Sequence, residues 1–330
     1  MSKHDVSQVN TQGIHRFLAD GVHYRDLLDI QAATADWSQW CRVWSEFAAA
    51  AEARGDAALR QSLTRTAAAE FRRAAHDRKV SVFRRAAPLF DPPLERVAIP
   101  FEKTSLPAYL RLPSGRPQAP CVILLGGLDT TKEDYMVVND LCAARGLATL
   151  AFDGPGQGEM LYSMPWRADF ERAIYAVLDY LETRPEIDSG RIGIIGRSTG
   201  GYYAPKSAAV DARIKAAVVW GAMYHLRNLA SIPAATRDGF VFVSRSKSVE
   251  GAVRFFECIN LEGVASKIRC PLLVVHGGRD TITPLENATR LIREAAGPVE
   301  TLIWEDSGHC CHDRAHIVRP AMADFMVRHL

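Results

Sequence analysis

The chain has little that would tie it to a membrane, a metal or a nucleic acid. No apolar run approaches the ~20 residues that a bilayer-spanning helix needs, so no membrane partner is expected. Neither sign of charge is in excess: 40 Lys and Arg stand against 38 Asp and Glu, a formal net charge of +2. Proteins that bind polyanions carry a basic surplus, so nucleic acid is not an expected partner and a small molecule is. Cysteines number seven. That odd count, with no C-x-x-C pair, argues against both a disulfide framework and a zinc site, and no metal is expected. The polar stretch from Met1 to Gln8 has no apolar core followed by a small-residue cleavage site. It therefore predicts no secretory leader and a reduced, cytoplasmic protein. Internal repeats, low-complexity tracts and a Walker-type G-x-x-x-x-G-K sequence are also lacking.

What is present is the composition of a soluble globular protein, 48% hydrophobic and 24% charged. A chain of 330 residues can bury a substantial core as one large domain or two ordinary ones. Two regions differ in their grammar. From about Gly13 to Pro88 the sequence is rich in Ala, Arg, Leu and Glu and predicts helices without strands. Trp37, Trp40 and Trp44 fall at i, i+3 and i+7, and Phe47 continues the stripe, which places four aromatics on one helical face. That face either packs on the main domain or lends rings such as Trp40 to a substrate pocket. Three prolines between Pro88 and Pro93 mark the boundary. The domains expected are a helical N-terminal cap region at 1–93 and a catalytic domain at 94–330.

Beyond Glu95 come eight short apolar runs: Arg96–Phe101, Ala108–Leu112, Cys121–Leu125, Ala148–Phe152, Ile192–Ile195, Ala216–Trp220, Leu272–His276 and Thr301–Trp304. Helical patterns between the later ones predict an α/β protein with a mostly parallel eight-stranded sheet covered on both faces. The first two runs are close enough to start the sheet antiparallel. An insertion of about forty-five residues, roughly 223–267, precedes the seventh run; connections this long often lie over an active site.

Three positions carry chemistry. Gly196-Arg197-Ser198-Thr199-Gly200 is G-x-S-x-G between a strand and a helix. The five-residue pattern alone would arise by chance in roughly one chain in ten of this size. Its placement at a strand-to-helix turn is what points to a nucleophile, because that turn exposes the serine hydroxyl. Serine needs an imidazole to take its proton and a carboxylate to hold the imidazole, and in this arrangement acid and then histidine follow the serine. Asp280, in the loop after Leu272–His276, is the expected acid, with Asp306 as the alternative. His309, in the loop after the last strand, is the expected base, with His312 and His316 as rivals. An oxyanion hole is expected from the amides of Thr199 and Leu128, Gly127 being the alternative to Leu128. Tyr202, Tyr224 and His225 are candidates for the substrate pocket, with Tyr203 beside them, although ordinary packing serves each equally well. Cys310 and Cys311 read as packed thiols that fix the His309 loop.

The loop Gly126-Gly127-Leu128-Asp129-Thr130-Thr131-Lys132-Glu133, the turn Asp153-Gly154-Pro155-Gly156-Gln157-Gly158-Glu159, the elbow at Ser198 and the helical N-terminal region together resemble the FrsA-like α/β-hydrolases. Within that group the likeness is to the branches acting in nicotine breakdown and in fungal polyketide shortening. The resemblance implies hydrolysis of a carbon–carbon bond next to a ketone, no cofactor, a homodimer, and Ser198, Asp280 and His309 as the triad. It also implies a further glutamate in the segment Trp220–Ser231, and this sequence has none there. A β-diketone or acylphenol is therefore expected rather than a pyridine substrate. The other expectations are a plain carboxylesterase and a non-catalytic binding protein of the same fold. The glycine-dense turn after Asp153 lacks G-x-G-x-x-G spacing, so it reads as a pocket rim and not as a dinucleotide site.

Overall fold

The computed structural model describes residues 14–34, 39–67 and 79–330. Trp37 lies outside them. The chain forms two compact units, Met1–Arg96 and Val97–Leu330.

In the N-terminal unit the helices α1 (Tyr24–Ala33), α2 (Trp40–Arg60) and α3 (Lys79–Ala86) are described. Of the aromatic stripe, Trp40, Trp44 and Phe47 pack with other residues of this unit. The Trp40 and Trp44 rings stand 5.6 Å apart, Phe17 packs tilted against both, and Val22, Leu27, Ile30, Val43 and Phe47 join the cluster.

The second unit is built on eight strands: β1 (Leu94–Phe101), β2 (Thr104–Arg111), β3 (Ala119–Leu125), β4 (Ala148–Phe152), β5 (Ile187–Arg197), β6 (Ile214–Trp220), β7 (Leu272–Gly277) and β8 (Val299–Trp304). Their order is β1-β2-β4-β3-β5-β6-β7-β8. β2 runs antiparallel to β4, and every pairing from β4 through β3 to β8 is parallel. The expected runs all became strands. Parallel neighbours need crossovers, and these are supplied by α4 (Met136–Ala143), α5 (Glu171–Glu182), α6 (Gly200–Val210), the inserted helices α7 (Ala234–Val243) and α8 (Val249–Phe255), and α9 (Leu285–Glu294). The chain ends on α10 (Ala315–His329).

Side chains alternate across a strand, so each central strand feeds two cores. On β3, Cys121, Ile123 and Leu125 face the core that holds α5 and α6, while Val122 and Leu124 face the one that holds α4 and α10. β6 and β7 divide in the same way. At roughly 1.5–3 kcal/mol per buried aliphatic side chain, a one-residue slip of register would be costly.

The order also places the site. After β3 the chain moves to β4 on one side and then crosses to β5 on the other, so β3 and β5 flank the topological switch point. Leu125 pairs with Gly196. The loops leaving these two strands therefore open side by side at the carboxyl edge, where ligands bind in such sheets.

Candidate active site

Ser198 is the residue after β5 and sits in the left-handed region, φ 57°. The turn is possible because Gly196 and Gly200, two positions to either side, have no side chains. A Cβ on Gly196 would fall 2.0 Å from the Gly200 carbonyl oxygen, and one on Gly200 would fall 2.5 Å from that of Leu125. Ser198 N–H donates to the Trp220 carbonyl at 2.8 Å, which ties the strained turn to β6.

Two loops further along the sheet edge reach this serine. His309 Nε2 lies 2.8 Å from Ser198 Oγ, and His309 Nδ1 lies 2.6 Å from Asp280 Oδ2. A buried carboxylate accepts and does not donate, so Nδ1 carries the proton and Nε2 is left to accept from the serine hydroxyl. Asp280 is held by more than His309. Its Oδ1 accepts from the Ile282 and Thr283 amides, and its Oδ2 accepts from the Thr283 hydroxyl. Burial opposes its charge, but the His309 charge and these bonds prevail and hold the carboxyl down at about 2. Burial likewise works against a charged His309, and the neighbouring Cys310 sulfur and the Asp280 carboxylate outweigh it, holding the imidazole well above its ordinary value. Such a chain can take a proton from Ser198 and return it to a leaving group.

The rival assignments are placed elsewhere. Asp306 is bound by both its oxygens to Arg314. His312 packs its ring against Trp220, and His316 is exposed. Cys310 and Cys311 are buried, and the Trp220 indole donates to the Cys310 carbonyl at 2.6 Å while the Cys310 thiol donates to the Trp220 carbonyl. The loop carrying His309 is thereby clasped to the end of β6.

The loop after β3 passes so closely against Ser198 that a Cβ on Gly127 would lie 2.9 Å from its Cβ. Among the described residues, neither the Leu128 nor the Thr199 N–H has an acceptor within the protein. Arg197 holds the middle of this loop through the Thr130 hydroxyl, with its guanidinium over the Tyr135 and Trp220 rings. Near the loop's end Lys132 is fully buried and meets Glu133, Asp153 and Glu159, each at 2.7 Å. Burial works against the Lys132 ammonium, and Asp153 and Glu133 more than compensate, so it is raised. Glu133 is also raised, first by its own burial and then by the Asp153 charge.

Of the pocket candidates, Tyr202 donates its hydroxyl to the Cys258 carbonyl and Tyr224 donates its own to Glu294. His225 bridges to Asn260 and binds Asn287 through its amide. The hydrogen bonds of these three therefore brace the inserted segment and α9, and none reaches Ser198 or His309. Trp40 belongs to the aromatic cluster of the N-terminal unit. The turn after Asp153 is not simply a rim: Gln157 and Asp153 are buried and grip the loop after β3. Glycine density masked that role in the sequence. His276 was also missed, since a histidine ending an apolar strand reads as core. Among the described residues no cluster of His, Cys, Asp or Glu could hold a metal, and no helix is long and apolar enough to cross a membrane.

An eight-stranded, mostly parallel sheet with a serine elbow at its switch point defines an α/β-hydrolase. The family described as esterase FrsA-like matches residues 37–248, and the chain belongs to it. It is 32% identical over 329 residues to the 2,6-dihydropseudooxynicotine hydrolase of Paenarthrobacter nicotinovorans, covering 94% of this chain and 90% of that one. A crystal structure of 2,6-dihydroxy-pseudo-oxynicotine hydrolase superimposes with a TM-score of 0.90 at 31% identity, covering 96% of this chain and 95% of that one. The hydrolyase poxO of Penicillium oxalicum is 35% identical over 223 residues, 57% of this chain and 53% of that one.

Proposed function

We propose that this chain hydrolyses a carbon–carbon bond next to a ketone, with Ser198 as nucleophile, His309 as base and then acid, and Asp280 as the orienting carboxylate. The observation that carries the chemistry is the pair of hydrogen bonds linking Ser198 to His309 and His309 to Asp280. The near full-length likeness to a pseudooxynicotine hydrolase supports the choice of bond. Ser198 adds to the ketone carbon, and its proton passes to His309. The tetrahedral oxyanion is received by the Leu128 and Thr199 amides, and the bond to the α-carbon breaks. The leaving enolate takes the proton from His309, and water then hydrolyses the acyl-serine to a carboxylic acid. The net reaction is ketone plus water giving acid plus a shorter ketone or phenol.

An enolate is a far more basic leaving group than an alkoxide and must be protonated as it departs. With no glutamate between Trp220 and Ser231 to assist, the substrate itself has to spread the charge. A second carbonyl or an ortho or para hydroxyl does so, which makes 1,3-diketones and acylphenols the substrate class.

The family's description as an esterase favours the second reading, hydrolysis of a carboxylic ester by the same groups. The deciding experiment compares kcat/KM for benzoylacetone, hydroxyacetophenones and p-nitrophenyl esters, with products identified by mass spectrometry. Efficient C–C cleavage with weak ester turnover supports the proposal; fast ester hydrolysis with no diketone cleaved supports the esterase. We also infer a cytoplasmic homodimer, in keeping with the six free thiols among the described residues and with the resemblance. Sedimentation equilibrium tests the dimer.

A further inference from the structure

We infer that Gln157 is a positioning residue that aims the oxyanion-binding amide of Leu128, with that of Gly127 beside it, at the substrate. Its Nε2 lies 2.9 Å from the carbonyl oxygens of both Gly126 and Gly127. Its Oε1 accepts the Gly154 N–H at 3.2 Å, and that bond fixes the orientation of the amide: nitrogen, not oxygen, faces the two glycines. The Gln157 amide is thus satisfied at both ends while buried.

The consequence follows from the planar trans peptide. In that unit the C=O and the next residue's N–H point in opposite directions. Two carbonyls turned toward Gln157 therefore turn the Gly127 and Leu128 N–H groups away from it. Gly127 is packed against Ser198, so the loop presents those two donors along the wall beside the nucleophile. A glycine pair has no side chain to resist peptide flipping, and glycine is the residue most free to flip. Gln157 supplies the restraint. Asp153, in the same turn, anchors the far end by accepting from the Lys132 amide at 2.9 Å.

This inference rests on the proposed role of Ser198, and its test separates the two. Gln157→Glu keeps the shape but turns a donor into a charge facing two carbonyls; Gln157→Met keeps the length and removes the donor. The probe is p-nitrophenyl acetate, which a serine hydrolase of either bond preference turns over. Rates are normalised to sites titrated by a fluorophosphonate, so a partly unfolded variant still reports on its folded fraction. Expected is a fall in kcat of roughly tenfold to a hundredfold with KM within about twofold. An aryl trifluoromethyl ketone, which forms the tetrahedral adduct, should lose affinity by the same factor. A residue that only stabilises the fold would lower the titrated fraction and leave kcat per site and ketone affinity unchanged, and that result overturns the inference. If Ser198→Ala retains turnover of the same ester, the serine assignment fails first and the inference falls with it.

Discussion

His276 stands directly behind Asp280, its Nε2 4.0 Å from Asp280 Oδ2 with both side chains fully buried. His276 Nδ1 accepts the Ala222 N–H and its Nε2 donates to the Thr283 carbonyl, so the ring is neutral with a fixed tautomer. Burial lowers its pKa, in keeping with that state. It ties the β6 and β7 loops together without adding charge beside the acid. His276→Phe leaves two buried backbone groups unsatisfied and should destabilise by about 2–4 kcal/mol. Chemical denaturation checks this.

The proposed base must be neutral to accept a proton, and His309 is held above the ordinary histidine value of about 6.5. A raised pKa keeps the inactive protonated form present to higher pH. The logarithm of kcat/KM should therefore rise with pH along a limb centred above 6.5 and level off beyond it. In Asp280→Asn one of the two groups that raise His309 loses its charge, so the limb should move to lower pH. The plateau should fall by roughly three to four orders of magnitude. A pH–rate profile of both proteins reads the two effects together.

One buried ammonium is shared among three carboxylates at Lys132. Breaking a buried ion pair by removing one partner costs about 3–5 kcal/mol, so Lys132→Met should destabilise by at least that much. Glu133→Gln should cost less, because Asp153 and Glu159 still pair with Lys132. Melting curves of the two variants make the comparison.

The elbow tolerates no side chain at Gly196, where a Cβ would meet backbone at 2.0 Å. Gly196→Ala should lose fluorophosphonate labelling of Ser198 even where the remaining sheet stays folded, as circular dichroism and labelling stoichiometry can show.

The parts of this molecule with regular patterning were legible in the sequence. The strands announced themselves as apolar runs because both faces of each central strand are buried. Their polar ends did not: β5 begins at Ile187, but the sequence showed it only from Ile192, because Asp188-Ser189-Gly190-Arg191 carry no apolar signature. Ser198, Asp280 and His309 were legible as candidates because each follows a strand at the same edge of the sheet, and the fold brings them within hydrogen-bonding distance. Gln157, His276 and Lys132 act through contacts twenty or more residues away or through backbone atoms, and no local pattern encodes such contacts. Tyr202, Tyr224 and His225 had the right chemistry for a pocket, but their partners in α9 and the inserted segment were invisible until the fold brought them together.

The most direct test of the central claim is turnover of benzoylacetone by the native protein and by Ser198→Ala, with products followed by mass spectrometry. The native protein should give benzoic acid and acetone, or acetic acid and acetophenone. Ser198→Ala should show a kcat lower by roughly three orders of magnitude or more. Near-normal C–C cleavage by Ser198→Ala would contradict the claim.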